Sequence, residues 1–124
     1  MQLPKSTEVF SKVSWFDEID STNLELARQL NTGASNFSAV IAGSQTSGQG
    51  RLGRNWDSPS GSSLSLSILI SAPFPEPGWL TLLAALSGKR TLAGLGIEGA
   101  GIKWPNDLHV DGKKVCGILA QLLP

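Results

Sequence analysis

The chain has a single cysteine, Cys116, among its 124 residues. That excludes an internal disulfide and any multi-cysteine metal site, and makes a reducing compartment, the cytoplasm, the simplest expectation. Neither sign of charge dominates: ten Lys and Arg stand against ten Asp and Glu. A balanced chain has no whole-molecule field to attract DNA or an anionic membrane surface, so any anion binding must be local. Long apolar runs are missing too. The opening MQLPKSTEVF puts Pro4, Lys5 and Glu8 where a secretion signal needs an uninterrupted apolar stretch, and no window reaches the length of a membrane span. Hydrophobic residues make up 40% and charged ones 16%, a globular rather than a disordered balance. At this length one domain, or part of one, is expected.

What is present divides into short elements. A strand near Val13 to Phe16 is followed by Ser21-Thr22-Asn23 and LELARQL, in which Leu24, Ala27 and Leu30 share a helical face and Asn31 to Gly33 supply the stop. Ala39 to Ala42 suits a short buried strand, whereas Gly43 to Ser63 has no period and reads as one long loop. Leu64, Leu66, Ile68 and Ile70 alternate with Ser63, Ser65, Ser67 and Leu69, giving a strand with one apolar and one mostly polar face. After a break at Ser71 to Gly78, the residues Trp79, Leu82, Leu83 and Leu86 repeat at helical spacing, extended by Ala93, and predict a core-covering helix. Ile102 to Trp104 is an extended piece stopped by Pro105, and Leu108 to Val110 and Val115 to Leu122 read as strands joined through Asp111-Gly112, a hairpin signal. Strands with inserted helices point to the α+β class: a mixed β-sheet with flanking helices.

Two segments carry candidate chemistry. GQGRLGR, Gly48 to Arg54, sets three glycines and two arginines in seven residues. Glycine lets backbone N–H groups converge on an anion, and Arg51 and Arg54 add forked charge suited to carboxylate or phosphate. The formal match to G-x-G-x-x-G at Gly48, Gly50 and Gly53 does not make a dinucleotide or kinase loop, because no helix start, acidic partner or following V-A-I-K strand accompanies it. The second segment is Lys103-Trp104-Pro105-Asn106-Asp107, which the hairpin brings near Lys114, so that an ammonium, a carboxylate and an amide can line one pocket. Trp104 suits packing before proline, His109 a surface position, and Cys116 the role of a small buried hydrophobe.

Together these residues resemble biotin protein ligases. Ser21-Thr22-Asn23, Gln45, GxGRxGR with Trp56 two residues on, KWPND, and Lys114 before Gly117-Ile118-Leu119 occur in that family's order and approximate spacing, from about Val13 to Leu122. The resemblance implies a class II aminoacyl-tRNA synthetase/biotin ligase-like fold and an ATP-dependent reaction through biotinyl-5'-AMP. It also implies transfer of biotin to a lysine of a biotin carboxyl carrier protein, from acetyl-CoA carboxylase or another biotin-dependent carboxylase. Ser21, Thr22 and Gln45 are then expected at the ureido ring, and Asn23, Gly48, Gln49, Gly50, Arg51, Lys114, Gly117 and Ile118 elsewhere around biotin. Arg51, Arg54, Trp56, Lys103, Asn106 and Lys114 are expected at ATP or the adenylate. Arg51, Lys114 and Asp107 are the catalytic candidates, with Asp107 beside the incoming lysine. The Leu64 to Ile70 strand and Gly117-Ile118-Leu119 would form the apolar wall. Mg²⁺ is expected with ATP rather than in a protein cage.

The chain departs from the family's pattern at Gln49, where many members carry arginine, and near Gln121, where a glutamate is usual. As given, residues 1–124 read as the N-terminal portion of the catalytic domain alone, incomplete and without a DNA-binding domain. They are expected to activate biotin poorly by themselves, with a homodimer or a complementing C-terminal half left open. Neither nucleic acid nor membrane is an expected partner. The alternatives are a fragment that binds biotin or a partner without turnover, and a lipoate or octanoyl ligase, which the KWPND and GxGRxGR motifs disfavour.

Overall fold

The first strand and helix meet at a serine whose side chain can cap. In the computed structural model, which describes residues 9–71, 73, 76 and 78–124, Ser21 has extended backbone (φ −158°, ψ 136°) and its Oγ accepts the Leu24 N–H at 3.4 Å. This starts α1, Thr22–Asn31, directly after β1, Lys12–Ile19. Thr32 closes the helix by donating its N–H to the carbonyls of Gln29 and Leu30, and Gly33 follows at φ 98°, a backbone state that glycine adopts without strain. The chain then returns as β2, Ser38–Gln45, parallel to β1, and β3, Ser65–Ile68, adds antiparallel on the other side of β2. The result is a mixed sheet in the order β1-β2-β3, with α1 against β2 and β3.

The central strand β2 is the core of this unit: Ala39, Val40 and Ala42 are fully buried and Ile41 nearly so. It extends beyond the expected Ala39 to Ala42 and takes Gly43 to Gln45 from the expected loop, because Ser44 and Gln45 pair with Glu18 and Ile19 of β1. The buried face of α1 is also rotated from the expected Leu24, Ala27 and Leu30 stripe. Thr22 and Leu26 are buried and Leu24 is half exposed, because the seam between helix and sheet is partly polar, with Gln29 Nε2 donating to Ser14 Oγ at 3.2 Å. On β3 the serine side turns inward: Ser67 is buried while Leu66 and Ile68 are exposed.

The chain divides into two units, residues 1–73 and 74–124. In the second, α2 (Gly78–Gly94) is followed by an antiparallel meander of β4 (Gly101–Lys103), β5 (Asp107–Val110) and β6 (Lys113–Gly117). The expected break at Ser71 to Gly78 lies partly outside the described residues. Asp111 (φ 51°) and Gly112 (φ 74°) form the two-residue turn expected between β5 and β6, both in the left-handed region that such a turn requires. The strand expected over Val115 to Leu122 begins earlier and stops at Gly117, after which residues 118–124 have no regular structure.

Helix α2 does not bury the expected stripe: Trp79, Leu83 and Leu86 are exposed and Ala85 is its buried residue. Small residues turn inward. A Cβ added at Gly88 would lie 2.7 Å from Leu108 Cδ1, and Leu108 is 1% exposed, so the missing side chain at Gly88 is what lets α2 sit against β5.

Candidate functional site

Asp20, at the end of β1, holds the start of α1 in place. Its Oδ1 accepts the Ser21 N–H at 2.7 Å, and Arg28, two turns along the helix, grips both carboxylate oxygens at 2.8 and 3.0 Å while its Nε donates to Glu25. The Arg28 fork, followed by the Ser21 amide, holds the Asp20 carboxyl down at about 2 against an ordinary 3.8. A carboxyl held low in the folded state is protonated first in the unfolded chain, so its stabilising contribution is complete above about pH 4 and is lost as pH falls through about 2. Arg28→Gln should move the Asp20 titration midpoint, followed by carboxyl-carbon NMR, back toward 3.8; an unmoved midpoint would remove the fork as its cause.

The turn presents a neutral hydrogen-bonded cluster. Gln45 Oε1, at the end of β2, accepts from the Thr22 N–H (2.8 Å) and faces Thr22 Oγ1 (3.1 Å). Thr22 Oγ1 meets Ser67 Oγ at 2.7 Å, and Ser67 in turn donates to Asn23 Oδ1. The Gln45 backbone N–H donates to Ser58 Oγ at 2.9 Å. Thr22 and Gln45, singled out from the sequence, are thus joined directly and Asn23 joins them through Ser67, whereas the Ser21 hydroxyl serves as the helix cap. Ser67, Ser58, Asp20 and Arg28 were missed. Ser67 left one trace, its place on the polar side of an alternating strand, but that side reads as solvent-facing when taken alone.

The glycine segment is a small hairpin. Trp56 N–H donates to Gly48 O (2.9 Å), Gly50 N–H to Arg54 O (2.7 Å) and Arg54 N–H to Arg51 O (3.2 Å), closing a tight turn over Arg51–Gly53. Leu52 (φ 59°) and Gly53 (φ 71°) turn the tip, where Leu52 is exposed. The Gly50 amide, expected to point at an anion, is spent on this ladder, while Arg51 and Arg54 extend from an exposed tip and Trp56 is half-buried at its base. Gly48 is required by contact: an added Cβ would come within 2.5 Å of the Trp56 carbonyl oxygen and 3.0 Å of Gln45 Nε2. Gly48→Ala should cost about 1–3 kcal/mol by overpacking against backbone, seen as a lower melting temperature with faster amide exchange at Trp56; an unchanged exchange rate would count against the close approach. An open cleft of about 350 Å³ beside Gln45 is lined by Glu18, Ser44, Asp57 and Ser58, and its two carboxylates make it a poor home for an anionic group.

In the second unit the charged residues share one sheet face. Val115 is an extra residue in β6: Leu108 pairs with Cys116, but His109 pairs with Lys114. Directly opposed residues point to the same face, so Lys114, set opposite His109 by the two-residue turn, lies on the side of His109 and Asp107, and the bulge after it brings Cys116 opposite Leu108. Lys114 Nζ lies 3.0 Å from Asp107 Oδ1. That oxygen is buried and has no aligned hydrogen-bond donor, so the pair is held by charge rather than by a well-directed bond. Lys103, opposite Asp107 on β4, is exposed. The Asn106 side chain donates to Ile118 O and its carbonyl accepts the Ile118 N–H, both at 2.9 Å, which ties the KWPND corner to the segment after Gly117.

A family model described as the biotin/lipoate A/B protein ligase family matches residues 15–124. The chain belongs to this family. It is 35% identical over 122 residues to the bifunctional ligase/repressor BirA of Bacillus spizizenii, covering 94% of this chain and 37% of that protein. It is 37% identical over 109 residues to the biotin--[acetyl-CoA-carboxylase] ligase of Mycobacterium tuberculosis, covering 82% and 41%. Among solved structures, the Aquifex aeolicus biotin protein ligase in complex with biotin and ATP matches with a TM-score of 0.81 at 35% identity, over 91% of this chain and 47% of that one. The mixed sheets and two helices therefore have the fold of a biotin protein ligase catalytic domain, and the chain spans about two fifths of the length of these curated relatives.

Several single residues of this ligase-family chain differ from expectation. Trp104, in the turn between β4 and β5 and preceding a cis Pro105, is 75% exposed rather than packed. His109 is half-buried, with Nε2 buried and without a hydrogen-bond partner, since it lies on the face of Asp107 and not on the outer edge. Cys116 is half-buried, and desolvation, with the Asp107 carboxylate adding to it, pushes its thiol up, which suits an inert residue. Among the described residues no three His, Cys, Asp or Glu gather as a metal site, and no helix is long and apolar enough to cross a membrane.

Proposed function

We propose that this chain forms the biotin-binding and carboxyl-activating part of an ATP-dependent biotin protein ligase. A biotin carboxylate oxygen attacks the ATP α-phosphorus and the bond to pyrophosphate breaks, leaving biotinyl-5'-AMP. The ε-amine of a carrier lysine then attacks the acyl carbon, loses a proton, and AMP departs. Both steps build negative charge on oxygen, and fixed positive groups at those oxygens lower the barrier.

The observation that carries the reading is the neutral cluster of Gln45, Thr22, Ser67 and Asn23 beside the Gly48 hairpin, in which Thr22 and Ser67 are buried and Gln45 and Asn23 half-buried. A ureido ring is neutral and needs both donors and acceptors when buried, which amides and hydroxyls supply and charged groups do not. Ser21, Thr22 and Gln45 take the ring, with Gln45 held by its Oε1 so that its amide nitrogen lies toward Gly48. Gly48, Gln49, Gly50 and Arg51 line the approach of the valeryl chain. In the first unit Arg51, Arg54 and Trp56 are assigned to the nucleotide; in the second, Lys103, Asn106 and Lys114 are, with Lys114 assigned to the reacting oxygens. Asp107 orients Lys114 through their ion pair and faces the incoming amine. Gly117 and Ile118, also in the second unit, are assigned to the apolar part of biotin. Mg²⁺ enters on the ATP phosphates, a biotin carboxyl carrier protein supplies the lysine, and the cytoplasm is the compartment.

Biotin-dependent exchange of pyrophosphate into ATP by the purified chain tests this reading. Exchange with biotin and none with lipoate or octanoate is the expected result; exchange driven by lipoate instead would overturn it. A second reading is biotin binding without turnover. It predicts a calorimetric biotin isotherm in the absence of exchange.

A further inference from the structure

We propose that Ser67 and Asn23 fix the direction of the Thr22 hydroxyl proton and thereby make Thr22 an acceptor for a ligand N–H, an inference that rests on the biotin reading of this site. Four groups form a line, Gln45 Oε1, Thr22 Oγ1, Ser67 Oγ and Asn23 Oδ1. Both ends are amide oxygens and can only accept, and each hydroxyl has one proton. Three links therefore share two protons.

The geometry selects which link goes without. Ser67 gives its proton to Asn23 Oδ1. The 2.7 Å contact between Thr22 and Ser67 is then held by the Thr22 proton, and the 3.1 Å contact to Gln45 Oε1 is the one left without a hydroxyl donor. Gln45 loses little, because the Thr22 backbone N–H already supplies that oxygen at 2.8 Å. In this polarity Thr22 Oγ1 donates along the line and keeps its lone pairs for an incoming donor. Reversed, it would spend its proton on Gln45, accept from Ser67, and leave Asn23 Oδ1 without that hydroxyl. Thr22 and Ser67 are 4% and 7% exposed, so water does not readily correct a broken link.

The consequence is selectivity between two ring chemistries that a ligase of this family could meet. A cyclic urea presents N–H groups and gains from an acceptor held in place; a dithiolane has none and is indifferent to it. Ser67 and Asn23 are thus positioning residues acting through Thr22.

Calorimetric titration of the 124-residue chain with biotin and with lipoic acid tests this, using Ser67→Ala, Ser67→Thr, Asn23→Leu and Asn23→Asp. Ser67→Ala and Asn23→Leu should each weaken biotin about tenfold, the worth of one hydrogen bond, and the double variant should be no weaker than either alone. Ser67→Thr, which keeps the hydroxyl, and Asn23→Asp, which keeps the acceptor, should stay within about twofold. In exchange assays the KM for biotin should rise with kcat unchanged. Equal biotin binding by wild type and Ser67→Ala would overturn the relay while leaving the biotin reading intact, and equal losses for biotin and lipoate would overturn it as general damage. No biotin binding by wild type would sink the biotin reading and the relay's role together. Without ligand, the melting temperatures of the Ser67→Ala and Asn23→Leu cycle should show coupling; strictly additive losses would overturn the shared line.

Discussion

Lys114→Ala is expected to slow biotin-dependent pyrophosphate exchange by about 10²–10³-fold, the loss seen when one fixed donor is removed from developing oxygen charge. The side chain is 41% exposed, enough to reach a ligand, while its contact to Asp107 fixes where the ammonium stands. Removing it also leaves the Asp107 carboxylate without this cation, so part of any loss could come from misplacement of Asp107. Lys114→Gln keeps the length and removes the charge, and Asp107→Asn removes the tether while keeping the ammonium. If Lys114 acts on the reacting oxygens, both Lys114 variants lose kcat with little change in biotin affinity, and Asp107→Asn loses less. Exchange that survives Lys114→Gln at the wild-type rate would reduce Lys114 to a structural counter-ion.

Leu108→Ala should destabilise the chain by about 3–4 kcal/mol, within the range for emptying a fully buried leucine site, with a fall in melting temperature of roughly 10–20 °C. Leu108 is 1% exposed, and its Cδ1 fills the space beside Gly88. Gly88→Ala alone crowds that methyl group, since its Cβ would be 2.7 Å away. Combined with Leu108→Ala, the same substitution should instead recover part of the loss, because the new methyl enters the vacated volume and alanine improves the helix by about 1 kcal/mol. A double variant that melts below Leu108→Ala would mean that helix and sheet do not meet through this pair.

The sequence showed the α+β class, the helix after Ser21, the Asp111-Gly112 hairpin and the approach of Lys114 to Asp107, because each has a local cause: a cap, a turn that needs positive φ, a register fixed by a two-residue loop. It misled wherever the burying partner is polar. Apolar periodicity put Leu24, Ala27 and Leu30 inward on α1, but the seam is organised by hydroxyls and amides, and Thr22, Leu26 and Gln29 face the sheet instead. For the same reason Ser67 looked solvent-facing and turned out buried. On α2 the large residues drew attention, while the contact is made by small ones, Ala85 and Gly88, whose importance depends on Leu108 from another strand. The glycine segment was correctly seen as special, yet the reason at Gly48 is the proximity of the Trp56 carbonyl, a contact between positions eight apart that composition cannot reveal.

The two-residue turn between β5 and β6 also sets how this segment can vary over time. Side chains alternate along a strand, so substitutions at Val115 leave the orientation of Lys114 untouched, and many are tolerable at a half-exposed position. Loss or gain of one residue in the Asp111-Gly112 turn is different in kind: it shifts the register, inverts the side on which the lysine emerges and turns an ammonium toward Leu108. Drift at this hairpin is therefore expected to run through replacements, with its length held constant.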